Sequence, residues 1–280
     1  MAELSEASAQ SDPALQRVMN EINRLNLQAH LVELETQGFT VLKQVLNTTQ
    51  IERAQQAILK RFGKDSGHHI DLSREDGSHL KGQTYIPYLL YEDNIFEDIL
   101  LAPAPLALIT YLLGESCLLS SIGCHLKGPG GDPLGLHSDN GNGMPAPFPP
   151  TAQVANINYA LTPYSREAGA LAMVPGSHKL ARQPTARETR LDGERANPKA
   201  LSMDLAPGDA VVWHGNTWHG SFARTLPGVR MNLAVYFNRQ YIQTQEQHRG
   251  VVPESVCQRH ANNPRFQVFR PWPIWTRLAG

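Results

Sequence analysis

The chain changes character at Gly114, and that change limits its fold more than any other feature. Before it, apolar residues recur at helical steps. Leu15, Val18, Met19, Ile22 and Leu25 follow Pro13 at intervals of three and four. A second helix over about His30–Gln37 is closed by Gly38, a residue suited to a left-handed cap. A third carries Ile51, Ala54, Ile58 and Phe62 on one stripe, opened by Thr48 or Thr49 and closed by Gly63, and a fourth runs from Pro103 to Leu113. After Gly114, short apolar runs alternate with Gly, Pro and Asn clusters. Cys117–Lys127, Ala152–Leu161, Ala170–Val174, Leu201–Leu205, Ala210–His214 and Val229–Asn238 read as strands. Helices first and about eight short strands afterwards predict an α+β, mainly β fold: a sandwich or barrel with N-terminal helices packed on one sheet. The expected organisation is a disordered tail over 1–12 and one domain over 13–280. That domain has a helical part (13–114), a β core (115–240) and a C-terminal extension (241–280) with a short helix after Pro253 and a Pro/Trp-rich tail.

One strand shows how such a core would be used. In Val229–Asn238, Met231, Leu233, Val235 and Phe237 fall on one face, and Arg230, Asn232, Ala234 and Tyr236 on the other. The apolar face suits packing on helices, and the polar face suits the wall of a cavity. An arginine inside that cavity is a site for an anion.

Composition removes several classes. No window approaches the 18 or so apolar residues of a membrane span. The N-terminus MAELSEASAQSD lacks the basic start and apolar run of a secretory signal. Three cysteines, Cys117, Cys124 and Cys257, are odd in number and unrelated in spacing, so neither a disulfide framework nor a cysteine zinc site is expected. A cytoplasmic compartment is the expectation. A net charge of −1 gives no basic excess for nucleic-acid binding.

Three constellations carry chemistry. In His137-Ser-Asp139 the imidazole and carboxylate are two apart, so in an extended segment they project to one side and can grip one metal ion. A second histidine would complete a two-His, one-carboxylate facial triad, whose open positions suit non-haem Fe(II) and oxygen chemistry. The segment W-H-G-N-T-W-H-G-S over 213–221 offers His214 and His219 for that place. They are five apart, so one continuous strand would aim them oppositely unless Gly215-Asn216 breaks it. Arg230 follows eleven residues after His219, with the fork geometry that matches a carboxylate.

Taken in order, these elements resemble the phytanoyl-CoA dioxygenase family of Fe(II)/2-oxoglutarate-dependent oxygenases. The likeness runs from about Leu31 to Tyr241. It rests on LVELETQGFTVLKQVL (31–46), HSD (137–139), GALAMVPGSHK (169–179), PGDAVVWHGNTWHGS (207–221) and GVRMNLAVYF (228–237). The resemblance implies a double-stranded β-helix, a jelly-roll of two packed sheets. It implies His137, Asp139 and His219 as iron ligands and Arg230 as partner of the 2-oxoglutarate C5-carboxylate. Fe(II), 2-oxoglutarate and O2 are the cofactors it implies, with oxidation of a substrate C–H bond coupled to formation of succinate and CO2. His178 and the turn Pro207-Gly208-Asp209 are then structural, and His214 packs near the barrel. Asn232 shares a face with Arg230 and is expected beside the same carboxylate. Gln153, Asn156 and Asn158 are candidates for the C1-carboxylate.

Asp139 argues against halogenation, for which the carboxylate would be replaced by a small residue. Hydroxylation, desaturation and ring rearrangement remain, as does a non-catalytic or zinc-holding jelly-roll with the same ligands. The substrate is expected to be a small molecule, either anionic or acyl-CoA-like or a natural product. Specificity is expected from the irregular stretches 64–92, with His68, His69, Gln83, Tyr85 and Tyr88, then 140–152 and 179–199. The last holds six basic and three acidic residues, which would favour an anionic substrate such as an acyl-CoA ester, or would simply make it a solvated lid.

Overall fold

The computed structural model describes residues 13–74, 80, 82–141, 143–247 and 252–262. The expected tails over 1–12 and at the C-terminal end, and His79, lie outside them. The helical part forms α1 (Pro13–Arg24), α2 (Gln28–Gln37), α3 (Thr48–Ser66), α4 (Ile95–Leu100) and α5 (Pro103–Leu113). Interleaved with these are β1 (Phe39–Leu42) and β2 (Gln83–Ile86). The β core then runs through β3 (Leu118–Lys127), β4 (Leu134–His137), β5 (Val154–Ala160), β6 (Leu171–Met173), β7 (Leu201–Ser202), β8 (Ala210–His214), β9 (His219–Ser221) and β10 (Asn232–Asn238). The short helix after Pro253 is present as α6 (Glu254–Arg259).

The strands form two antiparallel sheets, one ordered β1-β8-β5-β10-β3-β2 and the other β4-β9-β6-β7. The alternation read in β10 holds. Met231, Leu233, Val235 and Phe237 join Ile22, Leu34, Ile58 and Leu108 of the helices in one core, with Ile122, Ile157 and Val212 from neighbouring strands. Each such side chain contributes roughly 1.5–3 kcal/mol on full burial. The opposite face of the large sheet looks at the small sheet. A second apolar cluster there joins Phe39, Val211 and Trp213 to Leu171, Met173 and Met203.

Some boundaries differ from the sequence expectation. Asn47 caps α3, its side chain accepting from the Gln50 N–H while the Gln50 side chain accepts from the Asn47 N–H. The helix passes through Gly63 and ends at Gly67, at a φ of 73°. The stretch 179–199 is not merely a solvated loop. Leu191 is buried with Leu136, Trp218 and Phe222 on the outer face of the small sheet, and the Arg182 guanidinium lies 4.8 Å over the Trp218 ring.

Gly38 closes α2 as expected, at a φ of 87°. Its carbonyl accepts from the His214 N–H at 2.9 Å and the Thr217 hydroxyl at 2.8 Å. A Cβ there would come within 2.5 Å of both His178 Nδ1 and Thr217 Oγ1. Left-handed backbone strain and overpacking act together, so Gly38→Ala is expected to cost about 2–4 kcal/mol. Urea unfolding should show a lower midpoint with an unchanged slope; a wild-type midpoint would refute the packing argument.

Candidate active site

β4 and β9 pair so that His137 lies directly opposite His219. Gly220 permits this close crossing, because a Cβ there would come within 2.3 Å of the Leu134 carbonyl oxygen. Immediately after β4 the chain turns through Asp139, whose N–H donates to the Gly215 carbonyl at 3.1 Å. Gly215 begins the break between β8 and β9, so the turn that separates the two histidines also anchors the acid. Ligand atoms of His137, Asp139 and His219 all lie within 4.8 Å of one another. His219 Nε2 is 3.6 Å from Asp139 Oδ2, and the imidazole centroids are 4.4 Å apart.

The imidazoles have the tautomer a metal needs. His137 Nδ1 contacts the Gly135 carbonyl and His219 Nδ1 the Thr217 carbonyl, each at 3.0 Å. A carbonyl only accepts, so both Nδ1 atoms carry the proton and both Nε2 lone pairs are left for the site. Burial pushes the His219 pKa down, partly opposed by Asp139. Gln183, from the 179–199 stretch, brackets the segment: its side chain accepts from the Ser138 N–H at 2.9 Å and donates to the Ser138 carbonyl at 2.6 Å.

The triad opens on a cavity of about 270 Å³ lined by both sheets. Arg230 lies at its other end, 1% exposed. It donates to the Tyr164 hydroxyl at 3.2 Å and to Gln83 Oε1 at 3.4 Å, while its Nε has no partner. No carboxylate among the described residues pairs with it. Lys127 adds a second buried cation, donating to Ser221 Oγ at 2.9 Å and the Phe222 carbonyl at 2.5 Å. Burial, then Arg230, pushes the Lys127 pKa down to about 8. Burial and these two cations push His125 down to about 3, so its imidazole is neutral. A desolvated guanidinium without a carboxylate, with the Lys127 ammonium buried behind it, makes this end of the cavity suited to an anion.

The remaining sequence candidates divide. Asn232 lines the cavity, with Oδ1 accepting the His125 N–H at 2.6 Å. Asn156 also lines it, but its amide donates to Asp139 Oδ2 at 2.8 Å, so it steadies the acid. Asn158 accepts from the Tyr164 hydroxyl at 3.1 Å, in line with Arg230. Gln153 does not reach the cavity. It is out of phase with Asn156 and Asn158, and its side chain is engaged by the Thr151 carbonyl and the Tyr241 hydroxyl. His214 is a structural residue as expected, and so is His178, whose Nε2 meets the Glu35 carbonyl at 3.3 Å. The Asp209 carboxylate ties the turn to Lys43, Gln44 and Ala206. Among the described residues of the stretches expected to set specificity, Gln83 and Tyr85 of 64–92 line the cavity, while His68, His69, Tyr88 and the described residues of 140–152 and 179–199 do not. The basic charge of 179–199 therefore does not face the site. Reasoning from sequence missed Trp213, His125 and Lys127. Strand phase was the available signal for two of them, since Ser121, His125 and Lys127 share one face of β3.

The sequence model of the phytanoyl-CoA dioxygenase family matches residues 34–232. The dioxygenase af480 of Aspergillus fumigatus is 31% identical over 137 residues, which is 49% of this chain and 41% of that protein. The dioxygenase FUM3 of Gibberella moniliformis is 24% identical over 263 residues, covering 87% of this chain and 84% of its own. Among solved structures, HygX from Streptomyces hygroscopicus with nickel and 2-oxoglutarate bound superposes with a TM-score of 0.62 at 18% identity, over 78% of this chain and 88% of that one. The non-heme alpha ketoglutarate dependent epimerase SnoN from nogalamycin biosynthesis superposes at 0.58, also at 18% identity, over 78% and 84%. These structural likenesses fix the double-stranded β-helix.

Proposed function

Because the chain belongs to the phytanoyl-CoA dioxygenase family, and is therefore an oxidoreductase working with Fe(II), 2-oxoglutarate and O2, we propose that it hydroxylates an unactivated C–H bond of a small organic substrate. In this reading His137, Asp139 and His219 hold the iron, and Arg230 holds the 2-oxoglutarate C5-carboxylate. The observation that carries it is the pairing of two features in one cavity: a triad with both Nε2 lone pairs directed to the site, and a buried arginine without a carboxylate. The donor set of two imidazoles and one carboxylate suits Fe(II) with open positions. When bound, the iron and 2-oxoglutarate supply the oxygen-activating chemistry.

The protein's own contribution is positioning and dryness. The backbone carbonyls of Gly135 and Thr217 fix the two imidazoles, and the Asn156 amide steadies the Asp139 carboxylate through Oδ2, the oxygen nearer His219. Trp213 and Leu171, both buried, line the cavity beside the triad. Tyr85, Ser121, Tyr236 and Gln245 line the rest of the cavity, where a small substrate would bind. Among the lining residues Arg230 is the cation, and this reading assigns it to 2-oxoglutarate. Among the described residues no helix is long and apolar enough to cross a membrane.

Structures sharing the fold include an epimerase and a carbocyclase, so the fold also hosts outcomes other than oxygen insertion. A product one oxygen heavier than its substrate marks hydroxylation; one that is isomeric or two hydrogens lighter marks the alternatives. The test of the reading is succinate release from 2-oxoglutarate in air with Fe(II), lost on addition of chelator. Undiminished turnover of a true substrate with zinc and no 2-oxoglutarate would remove it.

A further inference from the structure

Two residues that line the active-site cavity each carry a buried donor without a partner in the described structure: Arg230 Nε and Trp213 Nε1. An indole N–H buried without a partner is destabilising and rare in native proteins, so it calls for something that bonds it. Trp213 is 4% exposed, and the cavity is the open space its side chain borders.

Its place in the sheets says which end of the cavity it serves. Asn156 pairs with Trp213 on β8 and with Tyr236 on β10, so these three inward-facing side chains form one row across the large sheet. That row is level with the triad: Asn156 donates to Asp139 at 2.8 Å, and the Trp213 ring lies 5.0 Å from that of His219. The Arg230 head lies one row away, bonded to Tyr164, which bonds Asn158. Asn156 and Asn158 are two residues apart on β5, roughly 7 Å of strand, a length that a five-carbon diacid spans. One orphan donor therefore sits at each end of a space of that length.

Resting on the reading of the site above, we propose that the Trp213 indole N–H donates to the 2-oxoglutarate carboxylate at the metal end of the cavity. Of the candidates expected for that carboxylate, Asn156 gives its amide to Asp139, Asn158 bonds Tyr164 through its oxygen and lies in the Arg230 row, and Gln153 lies outside the cavity. Trp213 is then a binding residue that fixes how the diacid lies, with Arg230 gripping one end and the indole the other.

Trp213→Phe removes the N–H while keeping an aromatic ring against His219. Two readouts separate a ligand role from a structural one. Thermal unfolding of the metal-free protein without 2-oxoglutarate should show only the modest fall expected from the smaller ring in a buried apolar cluster, because no hydrogen bond within the protein is lost. Anaerobic calorimetric titration of the Fe(II)-loaded protein with 2-oxoglutarate should show binding about ten- to a hundred-fold weaker, as expected for a lost hydrogen bond to a charged group. Wild-type affinity for 2-oxoglutarate would overturn the proposal. So would a fall in the metal-free melting temperature well beyond that, with an unchanged 2-oxoglutarate-induced rise, which would place the N–H's partner inside the protein. Arg230→Ala, titrated alongside, tells the two failures apart. If it weakens 2-oxoglutarate binding while Trp213→Phe does not, only the indole assignment falls. If the wild type binds no 2-oxoglutarate, the reading of the site falls with it.

Discussion

Arg230→Ala is expected to leave iron content unchanged and to raise sharply the 2-oxoglutarate concentration needed for half-maximal succinate release. The guanidinium is 1% exposed, and among the described residues its hydrogen-bond partners are neutral: the Tyr164 hydroxyl and the Gln83 side-chain oxygen. A charge this buried is costly unless an anion joins it. Removing one partner of a desolvated, hydrogen-bonded charge pair costs about 2–5 kcal/mol, which is roughly 30-fold to several thousand-fold in concentration. The protein without 2-oxoglutarate should lose little stability, because the deleted cation has no carboxylate there. Lys127 does not replace it, being committed to Ser221 and Phe222. Nor does Arg224, which spends its guanidinium on the carbonyls of Ala168, Pro227 and Gly228. Half-saturation by 2-oxoglutarate and bound iron should be measured together. An unchanged 2-oxoglutarate dependence would move the carboxylate clamp off Arg230.

The parts of this arrangement that were legible in the sequence are those set by local periodicity. Alternation in β10 separated Arg230, Asn232 and Tyr236 from Met231, Leu233 and Phe237, and the structure places the first group on the cavity and the second in the core. Gly38 was legible as a cap because a left-handed residue after an amphipathic run has few other uses. Asn47 was missed in favour of Thr48 or Thr49, which are equally good caps by type, although Gln50 three residues on completes a capping box with Asn47. Gly63 misleads, since a glycine inside a helix costs only about 1 kcal/mol and burial of Phe62 and Ile58 outweighs it. Short elements such as β2 and α4 are too brief to show a period. What the sequence could not reveal is who occupies a polar group. Asn156 and Gln153 look alike on paper; strand phase sends one to Asp139 and the other to Tyr241. The stretch 179–199 looks solvated from its charge, but Gln183 clasps Ser138 across 45 residues, a contact no local pattern encodes.

The largest expected contrast lies between two histidines five residues apart. His214 ends β8 with both ring nitrogens spoken for: Nδ1 accepts the Asn216 N–H at 3.0 Å, and Nε2 donates to the Pro150 carbonyl at 3.1 Å. Burial pushes its pKa down to about 4, so it is neutral, and no lone pair is left for a metal. The turn at Gly215-Asn216 then ends the strand, so His219 is not bound by the phase of β8. It enters the cavity on the other sheet, opposite His137, with Nε2 3.6 Å from Asp139 Oδ2. His219→Ala is therefore expected to lower iron affinity by well over ~100-fold, since even outer partners of metal ligands are worth 10- to 100-fold, and to abolish succinate release. His214→Ala should keep its iron and its turnover. It should instead lose about 1–3 kcal/mol of stability, because the Asn216 N–H is left buried without a partner. Bound Fe(II), succinate formation and urea midpoints measured on the two variants side by side decide the matter. If His214→Ala loses iron and turnover while His219→Ala keeps both, the ligand assignment is exchanged. The eleven-residue spacing that ties Arg230 to the same cavity would then have to be argued afresh.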